Sequence, residues 1–379
     1  IEAITASESV PDWVASYTSP AGAPVFREAL AHCLETHLTM CPLDREHLVI
    51  STGATSVIEM TAFVLAEAGD VAVIPAPCYP VYAKDLGNFA AVERYDLVTH
   101  HEPAEIADGP VLSIEDLERA RREVEASGRR FRMLILTSPD NPTGGIYPIE
   151  RLRVVADWCI DRGIHLVVNE IYGLSLLDTS DPDIRDDYST KRAFTSFAQV
   201  MREKQSEYLH HWYALSKDLG ISGFRVGSLW TMNPLAAKAY ENLNLTHSVS
   251  NHTQWLLGRL LVDDDSMREH IARNQQRLTA SYARAARAFR EMDVPYVPSR
   301  GSLFLWVDLS EFLDEESEEG ELRLWRRLFD ETGVLLTPGV GFGHTKHGQF
   351  RVVYPCVQPD ELAEAMYRLA RFVEAERTG

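Results

Sequence analysis

The sequence predicts an α/β protein. A three-layer α/β/α large domain is expected around a mostly parallel seven-stranded sheet, with a smaller α+β domain beside it. Three observations predict this. Seven short apolar runs alternate with helix-like stretches between residues 48 and 232, and near-continuous hydrophobic strands are what a sheet covered on both faces requires. The turns richest in glycine, proline and polar residues follow the carboxyl ends of those runs, which is where open α/β sheets bind ligands. Beyond about residue 246 the alternation gives way to long helices and a few separate strands. The expected division is a large domain over 28–246, with 1–27 (an N-terminal arm) and 247–379 forming the smaller one.

Residues 1–20 read as irregular, and Pro24 precedes an amphipathic run from Val25 to His37. L-V-I-S-T (48–52) is a strand, and G-A-T (53–55) opens a helix to Leu65. A strand running into a small-residue turn and a helix start leaves unpaired amides that suit an anion, although a simple strand–helix turn has the same pattern. Strands follow at 71–77, 91–98, 132–139, 164–172, 208–216 and 227–232. Between them lie a polar loop at 100–110, a helix at 113–127 with a capping pair Ser113/Asp116, and helices near 148–162 and 192–205. In the smaller unit, helices are expected at 251–262, from a cap at 263–266 onward, at 322–332 and at 358–376. Strands are expected at 301–309, 334–339 and 350–354. The stripe Ile271, Leu278, Tyr282, Phe289, Met292 has helical spacing and reads as core, and the acidic run 314–321 reads as a solvated loop.

With 379 residues, 45% hydrophobic and 25% charged, the composition is that of a globular protein with a sizeable core. A net charge of −19 argues against nucleic acid or an anionic membrane as partner. No apolar run reaches membrane-spanning length, and no secretory signal is visible. Five scattered cysteines without a C-x-x-C pair suggest reduced thiols and a cytoplasmic location, with no metal site. The chain begins at Ile1 without a methionine, so a preceding segment is expected.

The stretch that concentrates chemistry is Y-A-L-S-K-D-L-G-I-S-G-F-R-V-G (213–227). Lys217 sits between an apolar strand and a glycine-punctuated loop, and Arg225 follows eight residues later. A lysine amine of lowered pKa forms Schiff bases with aldehydes, and an always-charged guanidinium suits a phosphate. Both groups on one small molecule describe pyridoxal phosphate. A surface turn carrying two solvated cations is the plain alternative.

S-P-D-N-P-T-G (138–144), the S-K-D-L-G-x-x-G-F-R-V-G stretch (216–227), T-P-G (337–339) and F-R-V-V-Y (350–354) occur in the order found in fold-type-I pyridoxal-phosphate enzymes. The chain thus resembles the aspartate-aminotransferase superfamily over essentially its whole length. Within it, L-A-E-A-G-D (65–70), P-A-P-C-Y-P (75–80) and E-L-R-L-W (321–325) look most like 1-aminocyclopropane-1-carboxylate (ACC) synthases and their relatives. The resemblance implies that Lys217 forms the internal aldimine and moves the Cα proton. It implies a phosphate site from Arg225, Ala54, Thr55 and Ser216, and Tyr79 stacked on the pyridine ring. Asn141 and Tyr172 would hydrogen-bond the phenolic oxygen, and Arg351 would grip the substrate α-carboxylate. Tyr17 would reach the phosphate of a partner subunit, making the working unit a homodimer with shared sites. Each residue also has a plain reading: Tyr79 and Tyr172 as core aromatics, Asn141 as a turn residue before proline, Arg351 as a strand-edge cation.

Two positions depart from the family pattern. D-E-I-Y is replaced by N-E-I-Y, so Asn169 stands where an aspartate pairs with the pyridine nitrogen. Glu170 is expected to face the other side of the strand. Ala214 stands where many relatives carry a phosphate-binding serine. A neutral Asn169 leaves the ring a weaker electron sink, which tilts the expectation toward ACC-synthase-like γ-chemistry (elimination, cyclisation or γ-replacement) on S-adenosylmethionine or a similar amino acid. An aminotransferase and a non-catalytic binding module on the same fold are the alternatives.

Overall fold

A computed structural model describes residues 1–99, 106 and 109–378, so the loop read at 100–110 lies largely outside the described residues. Eleven strands are described: β1 Leu48–Ser51, β2 Val71–Ala76, β3 Glu93–Val98, β4 Phe131–Thr137, β5 His165–Asn169, β6 Leu209–Ala214, β7 Gly227–Thr231, β8 Tyr296–Val297, β9 Phe304–Asp308, β10 Thr337–Pro338 and β11 Gln349–Val353. The first seven form one sheet in the order β1-β7-β6-β5-β4-β2-β3. β7 runs antiparallel to both of its neighbours, and β6, β5, β4, β2 and β3 are mutually parallel. The remaining four form an antiparallel sheet, β10-β11-β9-β8.

The large sheet is apolar on both faces, which is why its strands lack alternation in the sequence. Leu134, Leu136, Leu166 and Val168 point into one core cluster, and Met133, Ile135 and Val167 into the other. Burying each such side chain contributes about 1.5–3 kcal/mol. The registry pairs Thr137 with Asn169 and Asn169 with Trp212, so β4, β5 and β6 end side by side. The segments that follow these three ends carry Asn141, Tyr172 and Lys217.

The capping pair is present as expected. Ser113 Oγ accepts from the Asp116 amide at 3.0 Å, and Asp116 Oδ2 accepts from the Ser113 amide at 3.1 Å. Leu278, Tyr282 and Phe289 of the helix Asp264–Glu291, and Met292 just after it, lie in the core of the smaller sheet, whereas Ile271 packs against the core of the large one. Helix Asn251–Leu261 also packs into the large core, beside helix Pro24–Leu34.

Several expectations are corrected. The strand read over 208–216 ends at Ala214, and Leu215, Ser216 and Lys217 lie on a short helix, Leu215–Asp218. The helix read at 192–205 shortens to Ala198–Lys204, and the strand at 334–339 to Thr337–Pro338. Helix Tyr82–Ala90 has no counterpart in the sequence reading. It is short and contains Gly87 and Asn88, which are weak helix formers, so packing of Tyr82 and Leu86 into the core sustains it. The acidic run is not wholly a loop: Ser317 caps a helix from Glu318, and negative charge in a first turn suits the helix dipole. Glu321 is buried there, and its carboxylate accepts from the amides of Val340 and Gly348, both at 2.7 Å.

All five cysteines are free thiols. No helix is long and apolar enough to cross a membrane among the described residues, and no metal-binding cluster of His, Cys, Asp and Glu occurs among them.

Candidate active site

The ends of β4, β5 and β6 open into a cavity of about 340 Å³, closed on the far side by β9 and β11. Ala54, Thr55, Tyr79, Asn141, Asn169, Tyr172, Ser216, Lys217, Arg225 and Arg351 all line it. The structure therefore brings together every predicted site residue except Tyr17. Tyr17 is fully exposed and borders a separate depression with Asn251 and Gln254.

Lys217 is half-buried, and burial together with the Arg351 and Arg225 guanidiniums holds its amine below the ordinary lysine range. A neutral amine is the nucleophilic and basic form. Its chain neighbour Asp218 is locked in the core, accepting from Ser175 Oγ at 2.6 Å, the Leu174 amide at 2.9 Å and Tyr213 Oη at 2.9 Å. Burial pushes that carboxyl up to about 7. The clamp fixes the backbone from which Lys217 projects.

Arg225 and the start of helix Gly53–Leu65 form a part of the cavity wall whose chemistry suits an anion. Helix Gly53–Leu65 begins there with no side-chain cap on its first amides, so its positive end is free for a ligand. Arg225, in the left-handed conformation at φ 54°, lays its guanidinium across this start. Gly53 has φ +81°, and a Cβ on it would lie 2.6 Å from Arg225 Nη2. Only glycine allows that approach. Thr55 and Ser216 add hydroxyls to the cavity wall, whereas Ala214 is buried in an apolar cluster with Tyr172 and Phe304.

At Asn169 the cavity wall presents a neutral amide. Asn169 Nδ2 donates to Tyr82 Oη at 3.0 Å, and its Oδ1 accepts from the Ile171 amide at 3.2 Å. Tyr82 Oη is also bonded to Thr137 Oγ1 at 3.0 Å. Glu170 faces away, as its strand position predicts. It contacts His211 Nε2 at 2.9 Å, Ser196 Oγ at 2.6 Å and the Phe197 amide at 2.6 Å. It cannot replace the missing aspartate.

Arg351 enters from β11. Its guanidinium carbon lies 4.5 Å from the Phe304 ring centre and 5.2 Å from that of Phe342, and Nη1 donates to Asn141 Oδ1 at 3.0 Å. Nη2 lies 3.5 Å from Thr337 Oγ1, and Nε is buried without a partner. Tyr172 packs edge-on to Phe304 at 5.5 Å, and burial raises its hydroxyl pKa far above the ordinary value. Tyr79 meets Tyr82 edge-on at 5.4 Å.

Tyr82, Asp85, Thr137, Phe304, Asp218 and Cys356 also shape the site and were absent from the sequence reading. For Tyr82 a signal existed: it lies three residues after Tyr79, at the start of a helix that the sequence marks only weakly. An amine nucleophile at mid-cavity, an anion cradle with room made by Gly53, and an aromatic wall at Tyr79 fit pyridoxal phosphate on chemical grounds alone.

The comparisons with known proteins agree with this geometry. The family model for aminotransferase class I and II matches residues 6–369. ACC synthase 1 of Oryza sativa subsp. indica is 32% identical over 365 residues, 94% of this chain and 72% of that protein. ACC synthase CMA101 of Cucurbita maxima is 30% identical over 364 residues, 94% of this chain and 73% of that protein. Among solved structures, aspartate aminotransferase from Thermus thermophilus with maleate has a TM-score of 0.78 at 22% identity, covering 96% of this chain and 89% of that one. The aromatic aminotransferase from Pyrococcus horikoshii OT3 reaches 0.80 at 20% identity, covering 96% and 88%. With its site and its sequence pointing the same way, the chain belongs to the aminotransferase class I and II family and is a pyridoxal-phosphate-dependent enzyme.

Proposed function

We propose that the enzyme takes an α-amino acid with a γ leaving group, of which the sulfonium of S-adenosylmethionine is the type, and releases that group by internal displacement, elimination or replacement. Pyridoxal phosphate supplies, when bound, an electron sink for the bond that breaks at the substrate Cα. This chain's residues do the rest. Arg225, Thr55, Ser216 and the amides at Ala54 and Thr55 hold the phosphate. Tyr79 covers the ring face, and Asn141 and Tyr172 serve the phenolic oxygen. Arg351 binds the substrate carboxylate as a fork, a geometry that lysine lacks. Lys217, its amine held below the ordinary lysine range by burial and the nearby guanidiniums, takes the Cα proton.

The observation that carries the reaction type is Asn169. It presents a neutral amide, tied to Tyr82 at 3.0 Å, on the cavity wall. A neutral partner supports the ring less as a sink, which disfavours the repeated proton shifts of amino-group exchange more than a single deprotonation followed by loss of a γ-substituent. The similarity to ACC synthases supports the same reading.

The test is direct. The purified holoenzyme is mixed with S-adenosylmethionine and assayed for methylthioadenosine, and separately with common amino acids while conversion of the cofactor to its amine form is followed by absorbance. Methylthioadenosine release at catalytic rates supports the proposal. Rapid formation of the amine form without sulfonium cleavage overturns it in favour of an aminotransferase.

A further inference from the structure

Helix Tyr82–Ala90 brings a carboxyl to the cavity that no step above uses. Asp85 lies three residues after Tyr82, on the same helix face, and lines the cavity with Tyr82, Asn169 and Tyr79. It is only 3% exposed, and its Oδ2 is buried with no hydrogen-bond partner. A buried carboxylate without a partner is costly. Most buried acids in this protein escape that cost: Asp218, Glu170 and Glu321 are each held by at least two donors.

The charged and titratable groups around Asp85 do not relieve it. Glu59, on the facing helix Gly53–Leu65, is a like charge that raises the Asp85 pKa. Tyr79, before the helix, feels the Asp85 charge as an unfavourable neighbour. The Tyr82 hydroxyl is engaged by Asn169 and Thr137. The three cavity cations Lys217, Arg225 and Arg351 are not among the groups acting on it. An acid in this position is satisfied by a ligand that is a base or a cation at the Asn169 end of the cavity. A pyridine nitrogen is a base when neutral and a cation when protonated.

We infer that Asp85 sets the protonation of the cofactor's ring nitrogen, taking over from helix Tyr82–Ala90 the charge role that Asn169 has given up on β5. The inference rests on the cofactor orientation proposed above, with its phosphate at Arg225 and its ring nitrogen toward Asn169. One proton is shared between the carboxyl and the nitrogen. With the proton on Asp85 the acid faces a neutral ring, and with the proton on nitrogen a carboxylate faces a pyridinium, with no change in net charge. Burial and Glu59 push the Asp85 carboxyl up to about 6, so as pH rises through the neutral range the pair gives up its shared proton to solvent, leaving a carboxylate beside a neutral ring nitrogen. The aspartate of the usual arrangement would hold the pyridinium permanently. Asp85 makes the ring's strength as an electron sink dependent on pH.

The test reads the ring nitrogen itself. Holoenzyme is prepared with pyridoxal phosphate carrying ¹⁵N in the ring, and the ¹⁵N chemical shift is followed from pH 5 to 9. In the wild type the shift is expected to move between its protonated and neutral positions across that range. Asp85→Asn should leave the nitrogen neutral throughout, Asp85→Glu should keep a titration with a displaced midpoint, and Asp85→Asn combined with Asn169→Asp should return a protonated nitrogen. An Asp85→Asn enzyme whose shift follows the wild-type curve overturns the inference. Should that variant not fold, a wild-type shift constant over the whole range overturns it equally. Failure of the functional proposal is distinguishable, because it concerns the products formed from S-adenosylmethionine and not the ring-nitrogen shift of the substrate-free enzyme.

Discussion

Arg351 Nη1 donates to Asn141 Oδ1 across 3.0 Å, and that bond ties the four-stranded sheet to the turn that follows β4. The two residues are 210 positions apart. The guanidinium also lies over the Phe304 and Phe342 rings, so it is fixed in orientation while Arg351 lines the cavity.

Arg351→Lys is therefore expected to raise KM for the amino acid by about 10- to 100-fold, with a smaller effect on kcat. A hydrogen bond to a charged group is worth about 1.5–3 kcal/mol, and lysine can neither form the fork nor reach Asn141 in the same geometry. Steady-state kinetics separate the two parameters, and an unchanged KM would remove Arg351 from substrate binding.

Lys217→Ala should abolish the visible absorption of the bound cofactor and turnover together, without loss of secondary structure by circular dichroism. In the wild type the amine is held below the ordinary lysine range, so it is deprotonated at lower pH than a solvated lysine. The rate should accordingly climb with pH through a midpoint below about 10.4, the free lysine value. A climb centred at or above that value would show that Lys217 is not the base.

Asn169→Asp places a carboxylate where the amide now donates to Tyr82. The expected outcome is stronger long-wavelength absorbance on addition of substrate and a greater share of amino-group exchange among the products. An unchanged spectrum would show that the neutral amide does not weaken the ring.

His165 Nδ1 and His210 Nε2 meet at 2.9 Å beneath the sheet, and His210 Nδ1 is bonded to Thr231 Oγ1 at 2.8 Å. Burial, then the nearby arginines, lower the His165 pKa to about 3, and burial lowers that of His210 well below its ordinary value. Both are neutral in the folded chain at pH values where the unfolded chain binds protons, so stability falls as pH drops below about 6.5. Each histidine contributes at most about 1.4 kcal/mol per pH unit in that range. Urea unfolding of wild type and His165→Gln between pH 7.5 and 5.5 tests this, and the variant's stability should fall less steeply. Parallel pH dependences would contradict it.

Tyr17 is fully exposed and does not line the cavity of its own chain. If it serves a partner's phosphate, sedimentation should give a dimer, and Tyr17→Ala should weaken cofactor retention by about tenfold, the worth of one hydrogen bond to a charged group. A monomeric, fully loaded enzyme would refute the shared site.

The strand order along the chain, the anion cradle and the residues around Lys217 were legible because each depends on short-range pattern. Continuous apolar runs mark strands buried on two faces, glycine and proline mark the turns, and an arginine eight residues after a lysine is visible without a fold. Helix Tyr82–Ala90 was not legible. Its internal Gly87 and Asn88 give no local reason for a helix, which exists because Tyr82 and Leu86 fill the core. Glu321 was misread for a related reason. A run of acids looks solvated until the chain folds back to offer it the amides of Val340 and Gly348.

The sequence by itself determined the fold class, the family likeness and half of the cavity wall, down to the neutral Asn169. It also determined that Glu170 turns away from Asn169, since adjacent strand residues face opposite sides. Only the tertiary structure decided what surrounds Asn169: the Tyr82 hydroxyl that holds it and the unpartnered Asp85 on the same helix face. The physical reason is distance along the chain. Asn169 and Tyr82 are 87 residues apart, and periodicity and turn chemistry carry information over a few residues, whereas a burial cost and its relief are set by groups that meet only when the sheet is assembled.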